Sequence, residues 1–310
     1  MQIINPSTGQ ETGRATYVIK QEVNFKDSTA SPTQVEEFTS VTLVGQSGEA
    51  TNNTMDWNSA CVGCSVLHQE PWSGYASFYN GQTRERRWNR EVSIPAGGKK
   101  DLDWNWSLRT RAGGVELQEP YQWGSGQVLG RCDNQVAGNF GCIAPRISPT
   151  LPIDYATRQA GATLVAVGSQ VNNHWWGWEE KNKPLTRLAD DADAEANRDI
   201  ICPDTFVPDP VVVDGSCDEY PFARTYQSRD NGTVFSGDRC QQLTSRQLSN
   251  GDWDLFTVDG DWDPNAPCLR ATTPLAQNSA VGGDLGRFTQ DVRLLDQDKY
   301  FVLVYDSRLS

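Results

Sequence analysis

Eight cysteines stand in four sequence-local pairs: Cys61 with Cys64, Cys132 with Cys142, Cys202 with Cys217, and Cys240 with Cys268. An even count at loop-sized spacing points to disulfides rather than to free thiols. Each such bridge restricts how far its flanking segments can separate, and bridges of this kind persist in oxidising compartments, so the expected location is secreted, extracellular. Zinc is the competing use of these thiols, because Cys61-Val-Gly-Cys64 supplies half of a ligand set. The other half is missing, since there is no second Cys-x-x-Cys and the two histidines stand in unrelated contexts. Sequence alone does not fix connectivity, and local pairing is the expectation for all four.

A chain of 310 residues exceeds one ordinary domain, given domains of roughly 100 to 150 residues, so two or three are expected. Its 37% apolar content and 11 Trp suffice for real cores. No apolar run approaches the roughly 18 to 20 residues that cross a bilayer; Phe301 to Tyr305 and Ala162 to Val167 are core-sized, and no membrane span is expected. The opening MQIINPSTGQETG lacks the zones of a signal peptide, leaving a cytosolic chain or a mature secreted form, of which the cysteines favour the second.

Residues 1–125 read as an all-β sandwich domain. In KKDLDWNWSLRTR, Leu102, Trp104, Trp106 and Leu108 alternate with Asp103, Asn105 and Ser107, the period of a strand with one buried face. Tyr17, Ile19, Val23 and Phe25 keep one parity, EFTSVTLVG adds another β-rich run, and Gly/Pro punctuation separates the runs. Trp57, Trp72 and Trp88 are expected in the sandwich core or at a domain interface rather than at a ligand. Residues 126–201 read as a loop and helical connector. One helical stripe is expected through Tyr155, Ala162, Val165 and Ala166, and another through Leu185, Leu188, Ala192, Ala196 and Ile200. The acidic run Asp190 to Glu195 is expected to be the solvated face of the second helix. Residues 202–310 read as a small α+β unit in which Leu285, Phe288, Val292 and Leu295 keep helical spacing and YFVLVY closes a sheet.

The chemistry narrows by exclusion. His174 lies in NNHWWGW, a setting for a hydrogen-bonded histidine under aromatic packing, and Gly-x-Ser-x-Gly, the Walker loop and the dinucleotide fingerprint are absent. Carboxylates remain. Asp218 and Glu219 follow Cys217 directly and can address one divalent cation together if the backbone bends there.

Cys217-Asp218-Glu219-Tyr220-Pro221-Phe222-Ala223, followed by Thr225-Tyr226-Gln227, resembles the core motif of the NucA/NucB family of secreted, metal-dependent deoxyribonucleases. Gln277 to Gly283 with Leu285-Gly286-Arg287-Phe288 resembles that family's second motif, and the ending from Arg293 resembles its close. The match covers about residues 202 to 305. The resemblance implies a ββα-metal type of nuclease domain holding Mg²⁺ or Mn²⁺ and cutting DNA. It makes Asp218 the general base, Glu219 and Asn278 its partners at the metal, and Arg224 and Arg287 the groups that neutralise phosphate. Where Bacillus-type members carry acidic residues, this chain has Tyr226-Gln227-Ser228, so Gln227 replaces a carboxylate that would assist the site. Between Cys240 and Cys268, the alternating Asp259, Asp261, Asp263 and Asn265 are the expected place for a structural Ca²⁺, although Pro264 stands where the turn glycine belongs.

Charge argues for weak engagement of DNA. From Gly215 to Ser310 nine Lys/Arg face fourteen Asp/Glu, a net of -5 within a chain of -13, whereas nucleic-acid binding is usually driven by a basic face. The alternative is an extracellular binding or adhesive protein with a catalytically degenerate nuclease-like domain, its Trp-rich sandwich taking a glycan or cell-surface ligand.

Overall fold

The alternating runs form strands in the computed structural model of the chain, which describes residues 1–25, 32–69, 74–116, 119–136, 138–230, 232–258 and 260–309. The structure is mostly β and divides into two compact units, Met1–Arg146 and Ile147–Ser310.

The first unit is built from β1 (Gln2–Ile4), β2 (Glu11–Phe25), β3 (Thr33–Gly48), β4 (Asn53–Val62), β5 (Ser65–Gln69), β6 (Ala76–Phe78), β7 (Thr83–Val92), β8 (Lys99–Ala112), β9 (Val115–Glu116), β10 (Tyr121–Gly124), β11 (Gly130–Asp133) and β12 (Gly141–Ile143). They make two antiparallel sheets, ordered β1-β2-β3-β7-β5 and β12-β11-β8-β4-β6, with β9 and β10 also paired to β8. As the alternation requires, Leu102, Trp104, Trp106 and Leu108 are buried, and they share one core with Val35, Val41 and Leu43 of β3. Trp57 and Trp88 lie in that core; Trp72 lies outside the described residues.

The core also contains an acid that the alternation did not reveal. Glu37, fully buried on β3, accepts from Arg90 Nη2 at 2.8 Å, Ser59 Oγ at 2.7 Å, Trp104 Nε1 at 3.2 Å and Trp106 Nε1 at 2.8 Å. A buried carboxylate needs this degree of satisfaction to be tolerated. Four elements are thereby tied to one side chain.

The expected connector, 126–201, is shared between the units. Its early part forms β11 and β12 of the first sandwich. The rest joins the second unit, which comprises β13 (Thr150–Asp154), α1 (Tyr155–Ala166), β14 (Leu185–Thr186), α2 (Asp191–Ile201), β15 (Gly215–Tyr220), β16 (Arg229–Asp230), β17 (Thr233–Val234), β18 (Gln241–Gln247), β19 (Trp253–Thr257), β20 (Leu269–Pro274), α3 (Leu275–Asp291) and β21 (Lys299–Tyr305). One sheet runs β13-β21-β14, a second β15-β20-β18-β19, and β16 pairs with β17.

Helix α2 departs from the expected stripe. The Asp190 carboxylate caps it by accepting the Asp193 N–H at 2.9 Å, so the helix starts after Leu185 and Leu188 and buries Ala194, Asn197 and Ile201. Ala192, Ala196 and Ile200 face solvent, and so does the acidic run. Helix α3 buries Leu285 and Phe288 as expected, together with Val281.

All four disulfides join the sequence-local pairs. Cys61 is bonded to Cys64, Cys132 to Cys142, Cys202 to Cys217 and Cys240 to Cys268. Cys132 and Cys142 face each other directly across the β11 and β12 pair, so that bridge closes the edge of the second sheet, and both residues are buried in the sandwich core. Among the described residues no helix is long and apolar enough to cross a membrane. Four disulfides are compatible with an extracellular protein.

Candidate functional site

Strand β15 pairs with β20 over six consecutive residues without a register shift, from Gly215 opposite Pro274 to Tyr220 opposite Leu269. Side chains on a regular strand alternate between faces, so Ser216, Asp218 and Tyr220 share one side and Cys217 and Glu219 the other. Contacts identify the sides. Tyr220 is buried in the core with Ala271, Val281 and Phe288, beneath α1 and α3. Cys217 is bonded to Cys202 at the end of α2.

Helix α3 lies close over the first side because α1 lets it. At Gly161 of α1, a Cβ would come within 2.9 Å of Val281 and 3.0 Å of the Gln277 carbonyl. Helix α1 also breaks at Gln159, whose φ is 44°. There Gln277 accepts the Ala160 N–H at 2.8 Å and donates to Gln159 Oε1 at 2.7 Å. The next residue, Asn278, then reaches β15: its Nδ2 donates to the Cys217 carbonyl at 2.9 Å and to Ser216 Oγ at 3.2 Å. A carbonyl only accepts, which fixes the amide and turns Oδ1 away from the strand. Ser216 is held in turn by donating to the Thr273 carbonyl at 3.1 Å.

Asn278, sixty positions from Asp218, is thus anchored on the two residues that precede that aspartate, Ser216 and Cys217, and Glu219 lies on the opposite face of the strand. The expected set of Asp218, Glu219 and Asn278 is divided because β15 stays regular instead of bending. On the far face Glu219 accepts the Ala223 N–H at 3.3 Å, closing the Tyr-Pro-Phe-Ala turn. Burial, and next the Glu219 charge, push the Asp218 carboxyl well above the usual carboxylate range, opposed by a backbone N–H and the nearby Thr273 hydroxyl. Burial also lifts Glu219 to about 7, against the pull of Arg198 and the Ala223 N–H.

The remaining expected residues sit elsewhere. Gln227 clasps β14, accepting the Thr186 N–H at 2.8 Å and donating to Thr186 Oγ1 at 3.1 Å. Arg224 pairs with Asp191 at 2.7 Å. Arg287 pairs with Asp284, which also binds Arg158 at 2.5 Å. Asp263 Oδ1 accepts the Asn265 N–H at 2.9 Å within its own turn, and Asp259 lies outside the described residues. Among the described residues no group of three or more His, Cys, Asp and Glu is placed to share an ion. One carboxylate and one carboxamide oxygen still suit a magnesium-like ion, which keeps most of its water. Ser216 and the positioning role of Gln277 escaped the sequence reading; Ser216 was accessible through its shared parity with Asp218 on the strand.

Neither the protein-family comparison nor the comparison with curated proteins returns a match. Among solved structures, the GAE domain of GGA2p from Saccharomyces cerevisiae aligns with 36% of this chain and 96% of its own, at 13% identity and TM-score 0.23. The GAE domain of yeast GGA1 aligns with 34% of this chain and 89% of its own, at 10% identity and TM-score 0.22. A family 123 glycoside hydrolase from Clostridium perfringens aligns over 30% of this chain and 20% of its own, at 12% identity and TM-score 0.14. Likenesses this slight carry no functional inference.

Proposed function

We propose that the second unit is a divalent-metal-dependent nuclease that hydrolyses DNA phosphodiester bonds without strong sequence preference. The supporting observation is that Asn278 of α3 is held on Ser216 and the Cys217 carbonyl, the two residues before Asp218 on β15, inside the segment that resembles the NucA/NucB motif. Asp218 and Asn278 are the residues that would hold the ion, and Asn278 is itself positioned by Ser216 and the Cys217 carbonyl. When bound, such an ion supplies Lewis acidity toward the phosphate. Asp218 takes the proton from the attacking water as general base. Glu219 acts at a distance, as the neighbouring charge that helps raise Asp218 and as the tie that closes the adjoining turn. Arg224 and Arg287 are engaged with Asp191 and Asp284 and exchange those partners for phosphate if they contribute. The acidic surface keeps engagement of DNA weak and salt-sensitive.

The test is plasmid digestion with Mg²⁺ or Mn²⁺, with and without chelator, by the native chain and by Asp218→Ala. Metal-stimulated cleavage that falls by about 100-fold or more in the variant is expected of a lost general base. Equal cleavage by the two proteins removes the mechanism. For the binding-protein alternative, Trp57, Trp88, Trp104 and Trp106 of the sandwich are buried and offer no ligand surface.

A further inference from the structure

The loop from Asn172 to Lys183, NNHWWGWEEKNK, is not used by the mechanism above. Its Trp175 has φ 50°, the left-handed region that bulky side chains avoid and that a glycine or asparagine would occupy at ease. A tryptophan held there directs an indole that a relaxed backbone would aim elsewhere. The loop is fastened so that this direction is kept. Asn172 Nδ2 donates to the Ala266 carbonyl at 2.9 Å, and the Asn173 and Gly177 N–H groups donate to Pro264 and Lys183 carbonyls at 2.7 and 2.6 Å.

Trp175, Trp176 and Trp178 all remain partly exposed. Lys181 Nζ sits 4.8 Å from the Trp175 ring and 5.4 Å from the Trp178 ring, and His174 stacks on Trp176 at 6.2 Å with 4° between the planes. The loop adjoins the catalytic strand: the Trp176 carbonyl accepts from Tyr220 Oη at 2.5 Å. Tyr220 lies two residues from Asp218 on the same face of β15, about 7 Å along the strand.

We propose that this loop is a stacking platform that receives unpaired nucleobases of the substrate strand beside Asp218. For its substrate the platform rests on the nuclease reading above. Indole faces take any base, and an ammonium group over them meets the phosphate that accompanies each base. Neutral sugars also stack on indoles but leave the lysine without a purpose. Glu179 and Glu180 offset Lys181 and Lys183, so stacking rather than net charge carries the affinity, and single strands are favoured over duplex.

Binding is measured on the full chain in EDTA, by anisotropy of a fluorescein-labelled oligothymidylate and of an abasic oligonucleotide of equal length. The oligothymidylate is expected to bind at least about ten-fold tighter, with Trp175→Ala and Trp178→Ala each weakening it about ten-fold and Trp178→Phe keeping most of the affinity. Equal binding of the abasic strand by the native chain, which needs no variant, overturns the platform. So does unchanged affinity in both alanine variants, or displacement of the oligothymidylate by neutral cellohexaose. Plasmid cleavage is scored separately: binding that needs the indoles in a protein that never cuts leaves the platform and removes the nuclease, and cleavage with indole-independent binding does the reverse.

Discussion

Replacing Glu219 by Gln isolates the cost of a buried carboxyl in the second unit. Burial lifts that carboxyl from 4.5 to about 7. The folded chain therefore holds a proton that the unfolded chain releases, and folding takes one up. Below 4.5 both states are protonated and the group contributes nothing; between 4.5 and about 7 stability falls as pH rises; above about 7 the whole cost is present. At about 1.4 kcal/mol per pH unit the cost comes to about 3 to 4 kcal/mol. The amide of Glu219→Gln has no charge to bury, and its carbonyl can still accept the Ala223 N–H. The variant should match the native chain at about pH 4 and exceed it by about 3 to 4 kcal/mol at about pH 8. Urea titrations across this range, in EDTA, can be read through hydrogen exchange of the β15 and β20 amides, which report the second unit by itself. Asp218 contributes to both curves and cancels in the difference, apart from its repulsion with Glu219. Curves that stay parallel from acid to alkaline pH refute the burial argument.

Two further outcomes follow from the contacts. Glu37→Leu strands Arg90 and two indole N–H groups in the sandwich core, and should destabilise the first unit by about 4 kcal/mol, with Glu37→Leu/Arg90→Met recovering most of the loss; thermal unfolding of the three proteins checks this, and a double variant no better than the single one contradicts it. Gln227→Ala should lower the stability of the second unit by about 1 to 2 kcal/mol through the lost clasp on β14, while leaving metal-stimulated cleavage within about two-fold of native; a collapse of cleavage at unchanged stability would return Gln227 to the catalytic group.

Legibility depended on whether the decisive partners were local. The alternation of Leu102 to Leu108 identified a strand with one buried face, because period and burial are properties of the segment itself. Glu37 was invisible in EFTSVTLVG, since its partners come from β4, β7 and β8 and leave no local mark. The stripe assigned to α2 was displaced by a cap: Asp190 decides where that helix begins, and a shift of one or two residues changes which face is buried. In the candidate site the motif pointed to Asp218 and Asn278, and the structure anchors Asn278 on Ser216 and the Cys217 carbonyl, next to Asp218 in the strand. It also suggested that Asp218 and Glu219 act side by side, which the unbroken pairing of β15 with β20 prevents. The disulfides, Cys132 to Cys142 among them, were legible because their partners are close in sequence; the Ser216 and Gln277 contacts were not, because they exist only once α3 lies on the sheet.

The order of strands in the second unit has a consequence for its synthesis. Strand β21 is the middle member of its sheet, parallel to β13 through Thr150 to Asp154 and antiparallel to β14 at Leu185 and Thr186. Both neighbours leave the ribosome more than a hundred residues before it. Until β21 arrives, Leu151, Ile153 and Leu185 have no sheet to complete, and their apolar surface is open to wrong partners. A nascent chain of this kind is a natural client for chaperones, and loss of the chain from Lys299 onward leaves β13 and β14 without the strand that joins them.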